Sequence, residues 1–177
     1  LYKIEKTSLA KILTIIKKHV KQFYNSDIYI GVSKSYNTAN ALRAAYDEAT
    51  AALNMVDVIN DDTGIVFYEK IGIYSILMEV KNDKLLQNYY RKYLSPLIEY
   101  DKQQKQNLCD TLEKYLQCNG KISETAQGLF VHRNTLRARL DKIETIFNRS
   151  LTDFSFCFDL QIAFYIKRYL EKSRYTT

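Results

Sequence analysis

The 177-residue chain has little of what punctuates turns, with five glycines and one proline. β-Sandwiches and barrels depend on Gly and Pro at their turns, so this scarcity argues for a mostly helical protein. Cysteine is limited to Cys109, Cys118 and Cys157, an odd number with no C-x-x-C pair, and the only histidines are His19 and His132. That set gives zinc ligation no support, and neither a metal nor a cofactor is expected. Scattered thiols of this kind suit a reducing compartment, where cysteine serves as a small buried hydrophobe. No apolar run reaches the roughly 18 residues that a membrane-spanning helix needs. Leu1 to Thr14 alternates charged and apolar residues without the apolar block of a secretory signal. The expectation is therefore a cytoplasmic protein with no membrane partner. Its first residue is Leu rather than Met, so the sequence reads as a piece of something longer.

Apolar residues make up 46% and charged ones 26%, enough to build and solubilise a real core. Lys and Arg exceed Asp and Glu by 26 to 20, a net charge of +6. Such an excess raises the possibility of an anionic partner but does not name one.

The order of elements reads helix, strand, helix, strand up to about residue 70. Leu9, Ile12, Leu13, Ile16, Val20 and Phe23 recur at helical spacing over Lys6 to Phe23. Ile28 to Val32 and Ile65 to Tyr68 are short, β-branched and aromatic, as strands are. Between them Asn37-Thr38 is placed to cap a helix carrying Leu42, Tyr46, Ala49 and Leu53 on one side. Asn60 to Gly64 reads as a turn before the second strand.

Strand signals stop after Gly72. Ile73 to Glu79 and Lys84 to Tyr93 look helical, and Ser95-Pro96 reads as a helix start, where proline gives up no useful amide. Asp101 to Gln106 is polar and reads as a link or a helix beginning; Leu108, Thr111, Leu112, Tyr115 and Leu116 mark a further helix stopped by Asn119-Gly120. The expected fold class is mostly α with a small α/β part. Its domains are a partial α/β domain over 1–70, a helical linker over 71–100 and an all-α domain over 101–177.

Residues 121–149 are the most informative. Ser123 is placed to cap a short helix, Glu124 to Leu129, and Val131-His132-Arg133 interrupts it. A longer helix follows with Leu136, Leu140, Ile143 and Phe147 spaced four, three and four apart. With Ala126 as the small residue where two helices cross, Leu129, Val131, Leu136 and Leu140 fall where a helix-turn-helix keeps its core. The segment holds six bases against three acids, half of the chain's net excess. Arg133 and Arg137 lie one turn apart, on the side away from the apolar seam, with Asn134 and Thr135 beside them. Arginine reads guanine bidentately, asparagine reads adenine, and the first residues of a recognition helix are those that reach base edges. Arg139 and Lys142 lie on the flanks, suited to phosphate. The plainer alternative is an ordinary helix pair with a solvated basic face. At the turn, the position that usually carries Gly in a left-handed conformation is Phe130.

The run Asn119 to Ala126, followed by Leu129 to Arg137 and by Arg139-Leu140, resembles the C-terminal helix-turn-helix of the PucR/CdaR family of bacterial regulators of purine-catabolism and sugar-diacid genes. Its most specific part is the phrase from Val131 to Leu140; the same region more loosely resembles the DNA-binding end of Fis-type proteins. Upstream, Ile30 to Ser33 with Tyr36, then Leu42, Ala45, Tyr46, Glu48, Ala49 and Ala52, is similar to that family's middle domain, a degenerate relative of the GGDEF cyclase fold. Together the matches span most of residues 25–172. The resemblance implies a transcription regulator whose small-molecule effector is bound by a domain N-terminal to this sequence, and in such a family Phe130 in the turn is unremarkable.

The helix expected from Thr152 or Asp153 to about Tyr169 carries Phe154, Phe158, Ile162, Tyr165 and Tyr169 on one face and apolar residues on others, so several of its sides should be buried. It either packs on the recognition unit or shares in a dimer contact.

An enzyme is the rival class. A nucleotide cyclase needs metal-holding carboxylates and a glycine-rich hairpin, but no Gly-Gly pair and no GGDEF signature occurs; Asp57, Asp61 and Asp62 are explained by turn formation. No phosphate-binding Gly-x-x-x-x-Gly-Lys loop is present, and neither His19 nor His132 has an evident Ser or Cys partner. A third class is a protein-interaction or dimerisation module. The reading favoured is a non-enzymatic regulator that binds double-stranded DNA, as a homodimer on paired half-sites. The base contacts expected are His132, Arg133, Asn134 and Arg137, and the backbone contacts Ser123, Thr135, Arg139 and Lys142.

Overall fold

The computed structural model describes residues 6–59 and 62–173. These residues fall into two compact units: the chain up to Glu79 together with the residues from Glu171, and Val80–Leu170. The stretch read as a helical linker is divided between them.

In the first unit, helix α1 (Lys6–Tyr24) is followed by strand β1 (Ile30–Val32), helices α2 (Leu42–Asn54) and α3 (Val56–Ile59), strand β2 (Ile65–Phe67) and helix α4 (Tyr74–Glu79). The strands pair in parallel, Ile30 opposite Ile65 and Val32 opposite Phe67. Parallel strands need a crossover, which α2 and α3 supply. Gly31 lets β1 lie against α2: a Cβ there would come within 2.0 Å of the Ala49 carbonyl oxygen.

That close approach involves Ala49 and Leu53 of the face expected of α2, but the rest of that face is open. Leu42 and Tyr46 are 76% and 68% exposed and Leu53 is also exposed, while Ala52 is fully buried. The expected cap at Thr38 is also absent. Thr38 precedes a short 3-10 turn, Ala39–Ala41, and its side chain makes no capping hydrogen bond. On α1, Leu9, Leu13 and Val20 are half-buried, whereas Ile12, Ile16 and Phe23 are exposed. Asn60 and Asp61, part of the expected turn and acid cluster, lie outside the described residues.

The second unit holds α5 (Asp83–Gln104), α6 (Leu108–Gln117), α7 (Ile122–Gly128), α8 (Arg133–Phe147) and α9 (Phe154–Ser173), α9 ending in the first unit's residues. Pro96 lies inside α5 and does not start a helix. The helix begins instead at Asn82, whose side chain accepts from the amides of Lys84 and Leu85. Burial of Leu94 and Leu97, both 0% exposed, carries α5 through the amide that proline lacks. Those two leucines join Leu108, Leu112, Leu116, Leu136, Ile143, Phe156 and Leu160 in one core.

Three polar contacts pin the helices around that core. Asp101 near the end of α5 accepts from the amides of Leu108 and Cys109, both at 2.8 Å, and so closes the start of α6. Tyr89 and Tyr93 each donate to Asp159 of α9 at 2.9 Å. Arg168 of α9 donates to Glu113 of α6 through two nitrogens. Asp153 opens α9, accepting from the Phe156 amide at 3.2 Å. The inward seam of α9 is Phe156, Leu160, Ala163 and Phe164; Phe154, Phe158 and Tyr165, from the face picked out by helical spacing, are exposed.

Candidate nucleic-acid interface

Helix α6 ends with Asn119 and Gly120 in left-handed conformation, φ 51° and 76°. Both amides fold back, Asn119 onto the Leu116 carbonyl and Gly120 onto that of Tyr115, each at 3.0 Å. The chain reverses there into α7. Ser123 is not its cap, as the sequence suggested. Lys121 holds that position without a side-chain bond, and Ser123 lies one residue inside the helix. Lys121 pairs instead with Glu124 at 2.8 Å, and this hydrogen bond raises the lysine's pKa.

The inward side of α7 carries Thr125 and Ala126, 0% and 4% exposed. Thr125 satisfies its hydroxyl by donating to the Lys121 carbonyl at 2.8 Å, so its burial leaves no orphan donor. Ala126 is the small residue that a close helix crossing requires. The turn follows. Phe130 adopts φ 54°, its amide donating to the Gln127 carbonyl at 3.2 Å, and Val131 donates to the Ala126 carbonyl at 3.0 Å. The left-handed turn expected where glycine is usual is therefore present, with phenylalanine in it.

His132 is the N-cap of α8: extended, with Nδ1 accepting from the Asn134 amide at 3.2 Å. Leu136 and Ile143 are fully buried and Leu140 is 7% exposed, which turns the opposite side of α8 to solvent. That side presents Arg133, Asn134, Thr135 and Arg137, all exposed. Arg133 reaches across the turn and donates to Ser123 Oγ at 2.8 Å, joining the starts of α7 and α8. The eight expected contact residues thus divide. Six of them, Ser123, His132, Arg133, Asn134, Thr135 and Arg137, are exposed at the start of α8 or across the turn from it.

The other two are tethered. Arg139 is half-buried and donates to Thr111 Oγ1 of α6 at 3.1 Å, while Thr111 donates to the Asn107 carbonyl at 2.7 Å. Lys142 is exposed, its Nζ 5.2 Å from the ring centre of Tyr100 on α5, a cation–π contact. Thr111 and Tyr100 were not anticipated as partners. Thr111 stood in the sequence as one more residue of an amphipathic face, and its full burial as a polar group becomes visible only in the fold. Among the described residues no cluster of His, Cys, Asp and Glu could hold a metal ion, and no helix is long and apolar enough to cross a membrane.

Two helices crossing at a small residue, joined by a left-handed turn, the second exposing a basic, amide-bearing N-terminal edge, form a helix-turn-helix DNA-binding module. Residues 108–166 match the family described as the PucR C-terminal helix-turn-helix domain. The chain is 33% identical over 128 residues to the proline-responsive transcriptional activator PutR of Bacillus subtilis (strain 168), covering 72% of this chain and 31% of that protein. It is 30% identical over 133 residues to the DNA-binding transcriptional activator AdeR of the same organism, 73% of this chain and 31% of that protein. The similarity to its purine catabolism regulatory protein, 29% identical, extends over 91% of this chain and 30% of the relative. The chain therefore spans about a third of the length of these relatives.

Proposed function

We propose that the chain is the DNA-binding portion of a bacterial transcription regulator of the PucR type, with α8 in the major groove. The observation that carries this is the exposed edge of α8, where Arg133, Asn134 and Arg137 stand opposite a fully buried seam. His132, Arg133, Asn134 and Arg137 contact base edges; Ser123, Thr135, Arg139 and Lys142 contact the backbone, Arg139 from its anchored position against Thr111. The partner is double-stranded DNA bound by a homodimer, since one module offers few contacts and paired half-sites multiply them. The location is cytoplasmic, where the genome of a bacterium lies.

The first unit is proposed as a degenerate GGDEF-like domain without enzymatic activity, which couples a sensor to the DNA-binding end. Support comes from the sequence phrases around Ile30 to Ser33 and Leu42 to Ala52, and from relatives that carry regulator names. A small-molecule effector is bound by a domain upstream of this sequence, in keeping with a relative described as proline-responsive.

The two classes of contact are separable by mutation. Arg133→Ala costs about 1–3 kcal/mol on a duplex selected from a randomised library and relaxes preference at one base pair. Lys142→Ala weakens selected and mixed-sequence duplexes alike and lowers the salt slope by about one. Equal losses from both variants on both duplexes would contradict the assignment.

A further inference from the structure

Five non-glycine residues among those described have a positive φ: Asn25, Lys105, Asn119, Phe130 and Asn148. Three are asparagines, whose short polar side chains tolerate the left-handed region, and one is a lysine ending α5. Phe130 is bulky, has no polar atom with which to compensate, and still holds φ 54° in the turn between α7 and α8. Its ring is 96% exposed, more than Phe154 at 82% or any other large apolar side chain described. Within the chain, then, the residue carries backbone strain and gains almost no burial in return. Glycine or asparagine would make the same turn with less strain.

Its position indicates where the return comes from. Phe130 stands two residues before the His132 cap and three before Arg133, in a segment whose charged residues are mainly basic. A duplex presents apolar deoxyribose faces and thymine methyl groups beside its phosphates, so a ring flanked by cations suits it. We infer that Phe130 is a DNA-contacting residue whose ring packs against apolar duplex surface beside the edge read by α8, adding affinity that the arginines do not supply. The assignment rests on the DNA-binding reading above.

Two variants of the 177-residue chain test it, Phe130→Gly and Phe130→Asn. Asparagine guards against the extra unfolded-state freedom of glycine. Thermal unfolding and anisotropy titrations are run with a duplex selected by the wild-type chain from a randomised library and with a mixed-sequence duplex, Arg133→Ala serving as the reference variant. The expected result is a Phe130→Asn chain at least as stable as wild type that binds the selected duplex roughly tenfold more weakly, the scale of one lost aromatic contact. Wild-type affinity in both Phe130 variants, with Arg133→Ala weakened, overturns the role of Phe130 and leaves the DNA reading standing. Marked destabilisation of both variants also overturns it, because the ring would then support the fold. Absence of DNA binding by wild type overturns the DNA reading and this role together.

Discussion

Asp101 offers the sharpest test of how the helix-turn-helix is supported. Its two carboxylate oxygens each accept a backbone amide at 2.8 Å, from Leu108 and Cys109, the first two residues of α6. Those amides have no partner within the helix, and their residues are 0% and 7% exposed, so water replaces the carboxylate poorly. Truncating an ordinary N-cap costs about 0.5–2 kcal/mol, and a hydrogen bond to a charged group contributes about 1.5–3 kcal/mol. Two such bonds lost together, with partial solvent relief, place Asp101→Ala at about 2–3 kcal/mol. Asp101→Asn keeps one good acceptor and should lose about half as much. The assay is urea unfolding followed by circular dichroism, with the slope against denaturant unchanged between variants. Because α6 anchors Arg139 through Thr111, the alanine variant should also bind DNA more weakly near its midpoint. A loss below about 0.5 kcal/mol for Asp101→Ala would refute the clamp.

Other outcomes follow from the same geometry. Leu136→Ala removes a fully buried side chain from the seam of α8 and should cost about 2–5 kcal/mol in chemical denaturation; a loss under 1 kcal/mol would mean that the seam is not packed as described. Gly31→Ala drives a Cβ to 2.0 Å from the Ala49 carbonyl oxygen and 2.6 Å from the Leu53 amide, both backbone, so the first unit should lose about 3 kcal/mol. Amide exchange would show that loss over β1 and α2, and unchanged protection there would count against the close approach. Burial pushes the Cys109 thiol up to about 11, so the folded chain holds that proton where the unfolded chain releases it. Stability should accordingly be intact below about pH 8.5 and fall as pH rises toward 11, less steeply in Cys109→Ala; equal slopes would remove Cys109 as a cause.

Much of the second unit was legible because its pattern is local. Leu136, Leu140 and Ile143 recur at helical spacing, and Asn119-Gly120 stops α6 as that dipeptide should. What the pattern could not show depends on contacts distant in sequence. Asp101 read as part of a polar link because its partners begin seven residues later, across a turn. Pro96 read as a helix start because the burial of Leu94 and Leu97, which holds α5 together, is a tertiary effect. Leu42, Tyr46, Ala49 and Leu53 formed a convincing apolar stripe, yet Gly31 of β1 meets only Ala49 and Leu53, and Leu42 and Tyr46 stay exposed. Tethering of Arg139 to Thr111, across 28 residues, was invisible for the same reason.

The central claim, that the exposed edge of α8 binds duplex DNA, is tested most directly by the affinity of the wild-type chain for a mixed-sequence duplex at two salt concentrations. Engagement of phosphates by the two cations assigned to the backbone, Arg139 and Lys142, predicts a log–log salt slope of about −1.8. Between about 50 and 200 mM salt the affinity should then fall roughly tenfold. A fall of less than about threefold, or no binding at the lower salt, would contradict the claim.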